Sequence, residues 1–162
     1  MNPSVKQTVK TYIIAILIPL AVGLLSALLT RDSMMIYGDI VRPPLSPPSI
    51  LFPIVWTILY VLMGVSSAMV WTRRKENPAD AWAGLAYYAA SLIFNFGWSI
   101  LFFSFRQYLA AFLWLLVLWY LILKTILHYR KVVPLAAYLQ IPYLLWVTFA
   151  GYLNLAVWIL NR

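Results

Sequence analysis

Chemistry needs groups that titrate, ligate or attack, and this chain carries few of them. Its acids are Asp32, Asp39, Glu76 and Asp80, its one histidine is His128, and cysteine is absent. Without cysteine there are no disulfides, no thiolate-held zinc and no thiol nucleophile. A single histidine beside Arg130 and Lys131 is too little for a metal cluster, so neither a metal nor a cofactor is expected. All four acids fall in the expected connections between apolar runs. Proton-coupled transport and carboxylate catalysis inside a membrane need an acid within the bundle, where burial tunes its pKa. That argues against a small multidrug antiporter and a paired-carboxylate hydrolase. The serines have no histidine or buried acid to activate them, so a Ser/His/Asp reading fails too.

What recurs at helical spacing is aromatic rings and carboxamides. One apolar run aligns Trp56, Tyr60 and Ser67; a second aligns Tyr87, Ser91, Asn95 and Trp98; a third aligns Tyr143, Trp146, Ala150 and Asn154. The first run adds a slim stripe of Pro19, Gly23, Ser26 and Thr30. An asparagine in hydrocarbon is costly unless its amide finds partners, so Asn95 and Asn154 should face inward. Aromatic walls with a few convergent polar groups are what a pocket for an apolar ligand requires. The same residue types also glue helices together and form interfacial belts. Trp71, Trp82 and Trp158 lie at run ends and read as belt residues, whereas Trp56, Trp98 and Trp146 lie well inside.

The elements that must position these residues follow from composition. Of 162 residues, 64% are hydrophobic and only 10% are charged, against about a quarter charged in a soluble domain. Lipid must therefore be much of the solvent. Five stretches are long enough to cross a bilayer, at about 11–29, 50–71, 81–103, 108–127 and 134–160. Helix is the only sensible state, since an open strand leaves backbone groups unpaired in lipid. The expected fold is an all-α membrane protein, a single bundle of five transmembrane helices. A cleaved signal peptide is the other reading of the first run, but its apolar stretch is long and Ser26-Ala27-Leu28 is a poor cleavage site. No internal repeat or inverted pair of broken helices marks an alternating-access transporter.

The formal charge of +8 does not point to nucleic acid, because the cations are scattered through short gaps. They read as anchors that set orientation. Lys6, Lys10, Arg73, Arg74, Lys75, Arg130 and Lys131 fall on one side, against Arg31, Arg42, Arg106 and Arg162 on the other. That bias puts the N-terminus in the cytoplasm if the host is a bacterial plasma membrane. The gap at 30–49 is unusually long and carries Pro43, Pro44, Pro47 and Pro48, so it should be stiff and extended, a lid over one mouth of the bundle. Ala83, Ala86 and Ala90 would let a second copy approach the third helix, a homodimer that crosslinking in membranes tests.

Arg42-Pro43-Pro44-Leu45-Ser46-Pro47-Pro48, followed by Phe52-Pro53-Ile54-Val55-Trp56-Thr57-Ile58-Leu59-Tyr60, resembles the first block of the translocator protein family (TspO, peripheral benzodiazepine receptor). Asn95-Phe96-Gly97-Trp98 with Phe102-Phe103 and Arg106-Gln107 is similar to its second block. Pro142-Tyr143-Leu144-Leu145-Trp146, then Phe149-Ala150 and Leu153-Asn154, is similar to its third. The resemblance covers nearly the whole chain. It implies a five-helix membrane receptor, often homodimeric, that binds porphyrins and other tetrapyrroles, and synthetic isoquinoline-type or benzodiazepine-type ligands, beneath the first long loop. By motif match it implies Tyr37 and Pro48 on the loop side of the pocket, and Trp56, Asn95, Trp98, Trp146 and Ala150 in its wall. Tyr60 and Asn154 are motif residues of the same blocks.

The resemblance also implies two other readings. Some bacterial relatives promote light- and oxygen-dependent breakdown of porphyrin, and the tryptophans tied to that activity match Trp56 and Trp146. The chain would then be a photo-oxidative enzyme with those indoles as electron donors. A transporter of small amphiphiles is the third. Leu45 and Ile50 stand where tryptophan is common, and Ile36 where tryptophan often precedes Tyr37, each removing an indole from the loop. Leu155 stands where the family's cholesterol stretch has tyrosine, and no basic residue follows nearby, so that stretch is incomplete in this sequence.

Overall fold

The computed structural model describes residues 2–162, the side chains of Met34, Ile36 and Tyr37 excepted. The expectation of a five-helix bundle is met: α1 Pro3–Met34, α2 Leu51–Thr72, α3 Pro78–Ser99, α4 Tyr108–Val132 and α5 Pro134–Leu160. A 3₁₀ turn, Met35–Gly38, follows α1, and a π-helical turn, Ile100–Ser104, extends α3. All five helices are long and apolar enough to cross a membrane.

The first helix runs further both ways than its apolar stretch. Asn2 caps it by accepting from the Ser4 N–H at 3.3 Å, and Pro3 occupies the first turn, where no intrahelical donor is needed. At 32 residues it is about 48 Å long, more than the roughly 30 Å hydrocarbon core. Its first turns, with Lys6 and Lys10, belong to the headgroup region. A second correction concerns Asp80, which lies in the first turn of α3 rather than in a connection. There it accepts hydrogen bonds from Asn77 (3.1 Å) and Lys131 (3.2 Å) and pairs with His128 Nδ1 (2.8 Å), tying the start of α3 to the end of α4.

The helices close a ring in the order α1, α2, α5, α4, α3. Gly64 is the reason α1 and α2 can touch: a Cβ there would collide with the backbone of Ala15 and Ile16. In α3, the Phe94 ring stacks on Trp114 of α4 at 4.3 Å, and the Trp114 indole N–H donates to the Phe94 carbonyl at 2.7 Å. Between α4 and α5, the Trp119 indole donates to Thr148 at 2.8 Å. The half of the bundle away from the Pro-rich loop is packed solid. Met63, Ile122, Tyr129 and Ala136 are fully buried there, and Gln140 donates to Ser66, whose hydroxyl donates to the Ala136 carbonyl. Polar glue of this kind pairs the amide N–H and the hydroxyl that lipid cannot, while the Gln140 side-chain carbonyl is buried without a partner among the described residues.

The Pro-rich segment is fastened to the far end of α5. Asn161 accepts from the Val41 N–H at 2.9 Å and returns its own amide N–H to the Val41 carbonyl at 3.1 Å. The Tyr152 hydroxyl donates to the Pro44 carbonyl at 2.8 Å. Ile40 adds an apolar contact to the cluster of Phe102, Ala111 and Val157. Leu45 sits at φ 66°, a left-handed conformation that costs a branched residue roughly 1–2 kcal/mol and marks the sharp corner of the segment.

Candidate functional site

Above the packed half, α1, α2, α3 and α5 part around a cavity of about 750 Å³. That volume lies in the usual range for pockets that bury a drug-sized ligand. No charged side chain is among the described residues that line it.

Its floor is set by one small residue. The Tyr60 ring lies directly over Gly23, where any Cβ would overlap it. The Tyr60 hydroxyl then reaches α3 and accepts from the Asn95 amide at 3.1 Å. Trp56, one turn along α2, stacks on Tyr60 at 5.5 Å and meets Tyr143 of α5 edge-on at 6.1 Å. The opposite wall hangs on Asn154, which is 1% exposed. Its carbonyl accepts from the Trp98 indole at 2.9 Å, and its amide donates to the Tyr108 carbonyl of α4 at 2.7 Å. One carboxamide thus fixes an indole plane and joins α3, α4 and α5.

Trp98 in turn stacks on Phe102 at 5.3 Å and meets Phe103 edge-on at 6.0 Å. Both phenylalanines come from the π-helical turn, where the Phe105 N–H bonds the Ile100 carbonyl at 3.0 Å. The extra residue of that turn lets two consecutive rings close on the cavity, a use typical of π-bulges. Trp146 completes the wall from α5, with Phe52 edge-on at 5.9 Å. Among the described residues, Trp56 and Trp146 have no hydrogen bond to their indole N–H groups, in contrast to Trp98.

Of the residues singled out from sequence, Trp56, Tyr60, Asn95, Trp98, Trp146, Ala150 and Asn154 all line the cavity. Pro48 is not in the lining; its neighbours Ser49 and Ile50 are. The Tyr37 side chain lies outside the described residues. The stripes also run past the cavity into packing. Ser67 pairs with the Tyr129 hydroxyl at 2.8 Å, Ser91 donates to the Tyr88 carbonyl, and Tyr87 stacks on His128 at 5.4 Å. Gly23, Ser26 and Thr30 line the cavity from α1, while Pro19 is buried below it. Pattern reading passed over Leu20, Leu24, Ala27, Pro53 and Thr57 as wall residues. They are apolar or small side chains among many such, and only their helical register with Gly23 and Trp56 sets them apart.

The profile of the TspO/MBR family matches residues 15–159. The chain is 39% identical over 144 residues to the tryptophan-rich protein TspO of Chlorobaculum tepidum, covering 88% of this chain and 90% of that one. It is 36% identical over 143 residues to the translocator protein of Bos taurus, covering 88% and 85%. It is 34% identical over 135 residues to the tryptophan-rich sensory protein of Cereibacter sphaeroides, covering 83% and 81%. With five apolar helices built around an aromatic cavity and matches over most of its length, this chain is an integral membrane protein of the TspO/MBR family.

Proposed function

We propose that the chain is a membrane receptor that holds a flat apolar ligand of the tetrapyrrole class in the cavity between α1, α2, α3 and α5. The observation that carries this reading is the wall itself. Trp56, Trp98, Phe102 and Trp146 present ring faces and edges, and among the described residues two asparagines supply the only carboxamides of the lining. A flat macrocycle uses such a slot well, because each ring contact adds about 0.5–1.5 kcal/mol beyond plain burial. Isoquinoline-type and benzodiazepine-type ligands are flat and apolar enough for the same slot. The lack of charged side chains in the described lining favours holding over proton-coupled movement.

The experiment is a titration of the purified chain with protoporphyrin in darkness, read by quenching of tryptophan fluorescence. Saturable quenching is expected, with affinity reduced about tenfold in Trp146→Ala, on the order of one lost ring contact plus its burial. Equal affinity in the wild type and Trp146→Ala would put the ligand elsewhere.

One observation favours a second reading alongside the first. Trp56 and Trp146 both border the cavity, so both would face a bound chromophore as electron donors to its excited state, with dioxygen as the terminal oxidant. If the chain degrades porphyrin, ligand absorbance falls under light but not in the dark, and Trp146→Phe slows the loss. The same loss in light and dark, in both proteins, contradicts it.

A further inference from the structure

We propose that the ligand reaches the cavity sideways from the bilayer, through a slot between α1 and α2, and not through the loop-covered mouth. The inference rests on the cavity being the ligand site, as proposed above.

Most of the described lining residues are half-buried or buried, as cavity walls should be. Six are not. Leu24 and Ala27 on α1, Pro53 and Thr57 on α2, and Ser49 and Ile50 just before α2 line the cavity and are also exposed on the outer surface, Leu24 at 62% and Ile50 at 68%. A residue that touches both the cavity and the exterior is the rim of an opening. Four of the six belong to facing stretches of two adjacent helices, and Ser49 and Ile50 lead directly into α2, so the opening is a slot that runs along the α1–α2 seam up to the start of α2.

The seam has a closed end and an open end. Near Gly64 the two backbones touch, and one turn nearer the loop the Tyr60 ring sits on Gly23. From that lip toward the Pro-rich segment, cavity lies between the helices. Between the two helices the rim is apolar to a passing molecule. The Thr57 hydroxyl is turned back onto the Pro53 carbonyl at 2.7 Å, and the Thr30 hydroxyl onto the Ser26 carbonyl at 2.9 Å. The surface outside the slot is apolar too, with Leu28, Ile54 and Ile58 exposed beside it. In a helix that crosses the membrane, such a surface faces acyl chains.

The mouth, by contrast, is held down. Three hydrogen bonds, two to Asn161 and one from Tyr152, fix the Pro-rich segment to α5. Opening that route breaks all three, whereas the slot needs only lipid to move aside. A flat, membrane-dissolved amphiphile is the ligand that such a slot admits.

The test uses the full chain in nanodiscs, with protoporphyrin as the probe and association and dissociation followed in the dark by tryptophan quenching. Ala27→Phe and Thr57→Phe narrow the slot from either helix, and both face lipid, so each should fold. Both rates are expected to fall about tenfold in each variant. Asn161→Ala with Tyr152→Phe frees the loop and is expected to leave association within about twofold of the wild type. The proposal is overturned if the narrowed variants keep wild-type rates, or if they only dissociate faster, as loss of a contact would cause. It is overturned equally if freeing the loop speeds association tenfold. A wild type that binds no probe removes the cavity reading and the slot together, whereas normal binding with unaltered rates removes the slot alone.

Discussion

Asn154→Leu is expected to destabilise the bundle by about 1–3 kcal/mol and to lower ligand affinity tenfold or more. Leucine keeps the four side-chain heavy atoms and their branching, so the substitution tests hydrogen bonding more than shape. It leaves the Trp98 indole N–H without its acceptor and removes the amide that bonds the Tyr108 carbonyl. Leaving one buried polar group unpaired costs about 1–3 kcal/mol in general, while single interhelical bonds in lipid average nearer 0.6; two bonds on one amide fall in the range given. The loss of affinity has a separate cause. Trp98 then keeps its ring contacts with Phe102 and Phe103 but no hydrogen bond to hold its plane. Unfolding in mixed micelles gives the first quantity and a dark titration gives the second. Full stability with full affinity would show that Asn154 is a bystander.

The second large effect is expected at Gly64. Even alanine there would bring a Cβ against the backbone of Ala15 and Ile16, and a backbone cannot rotate out of the way as a side chain can. Overpacking of a tight contact typically costs 1–3 kcal/mol. Gly64→Ala should sit at about the upper end of that range, and Gly64→Leu should separate α1 from α2. Because α1 supplies one wall of the cavity, ligand binding should be lost along with stability. Gly38→Ala is the matched control: nothing lies within 4 Å of a Cβ at that position, so its effect should stay within about 0.5 kcal/mol. A Gly64→Leu protein with wild-type stability and binding would mean that the α1–α2 contact does not support the site.

Much of this was legible from residue order, for a physical reason. Lipid removes the choice of secondary structure, so an apolar run of about 20 residues has one outcome, and α5 begins and ends where its run does. Ends that rest on capping were harder to read. Asn2 and Pro3 start α1 outside the hydrocarbon, where hydropathy carries no signal, and Asn77 and Pro78 draw Asp80 into the first turn of α3. Inside the bundle, Asn95 and Asn154 were readable because a carboxamide in lipid must find partners. The partners themselves were not. That Asn95 meets Tyr60 and Asn154 meets Trp98 depends on helix rotation and depth, which no single helix encodes. The π-helical turn that aims Phe102 and Phe103 was also hidden, since its sequence reads as ordinary apolar helix. Leu24, Ala27 and Pro53 lack any chemical mark, so the slot emerges only once α1 and α2 stand side by side.

All of this depends on a ligand lying among the indoles of Trp56, Trp98 and Trp146. The most direct measurement is an experimental structure of the chain with protoporphyrin bound, prepared in the dark. Density for the macrocycle is expected within the cavity, above the Tyr60–Asn95 pair and against Trp146. Density confined to the lipid-facing surface, with the cavity filled by lipid or water, would contradict the account.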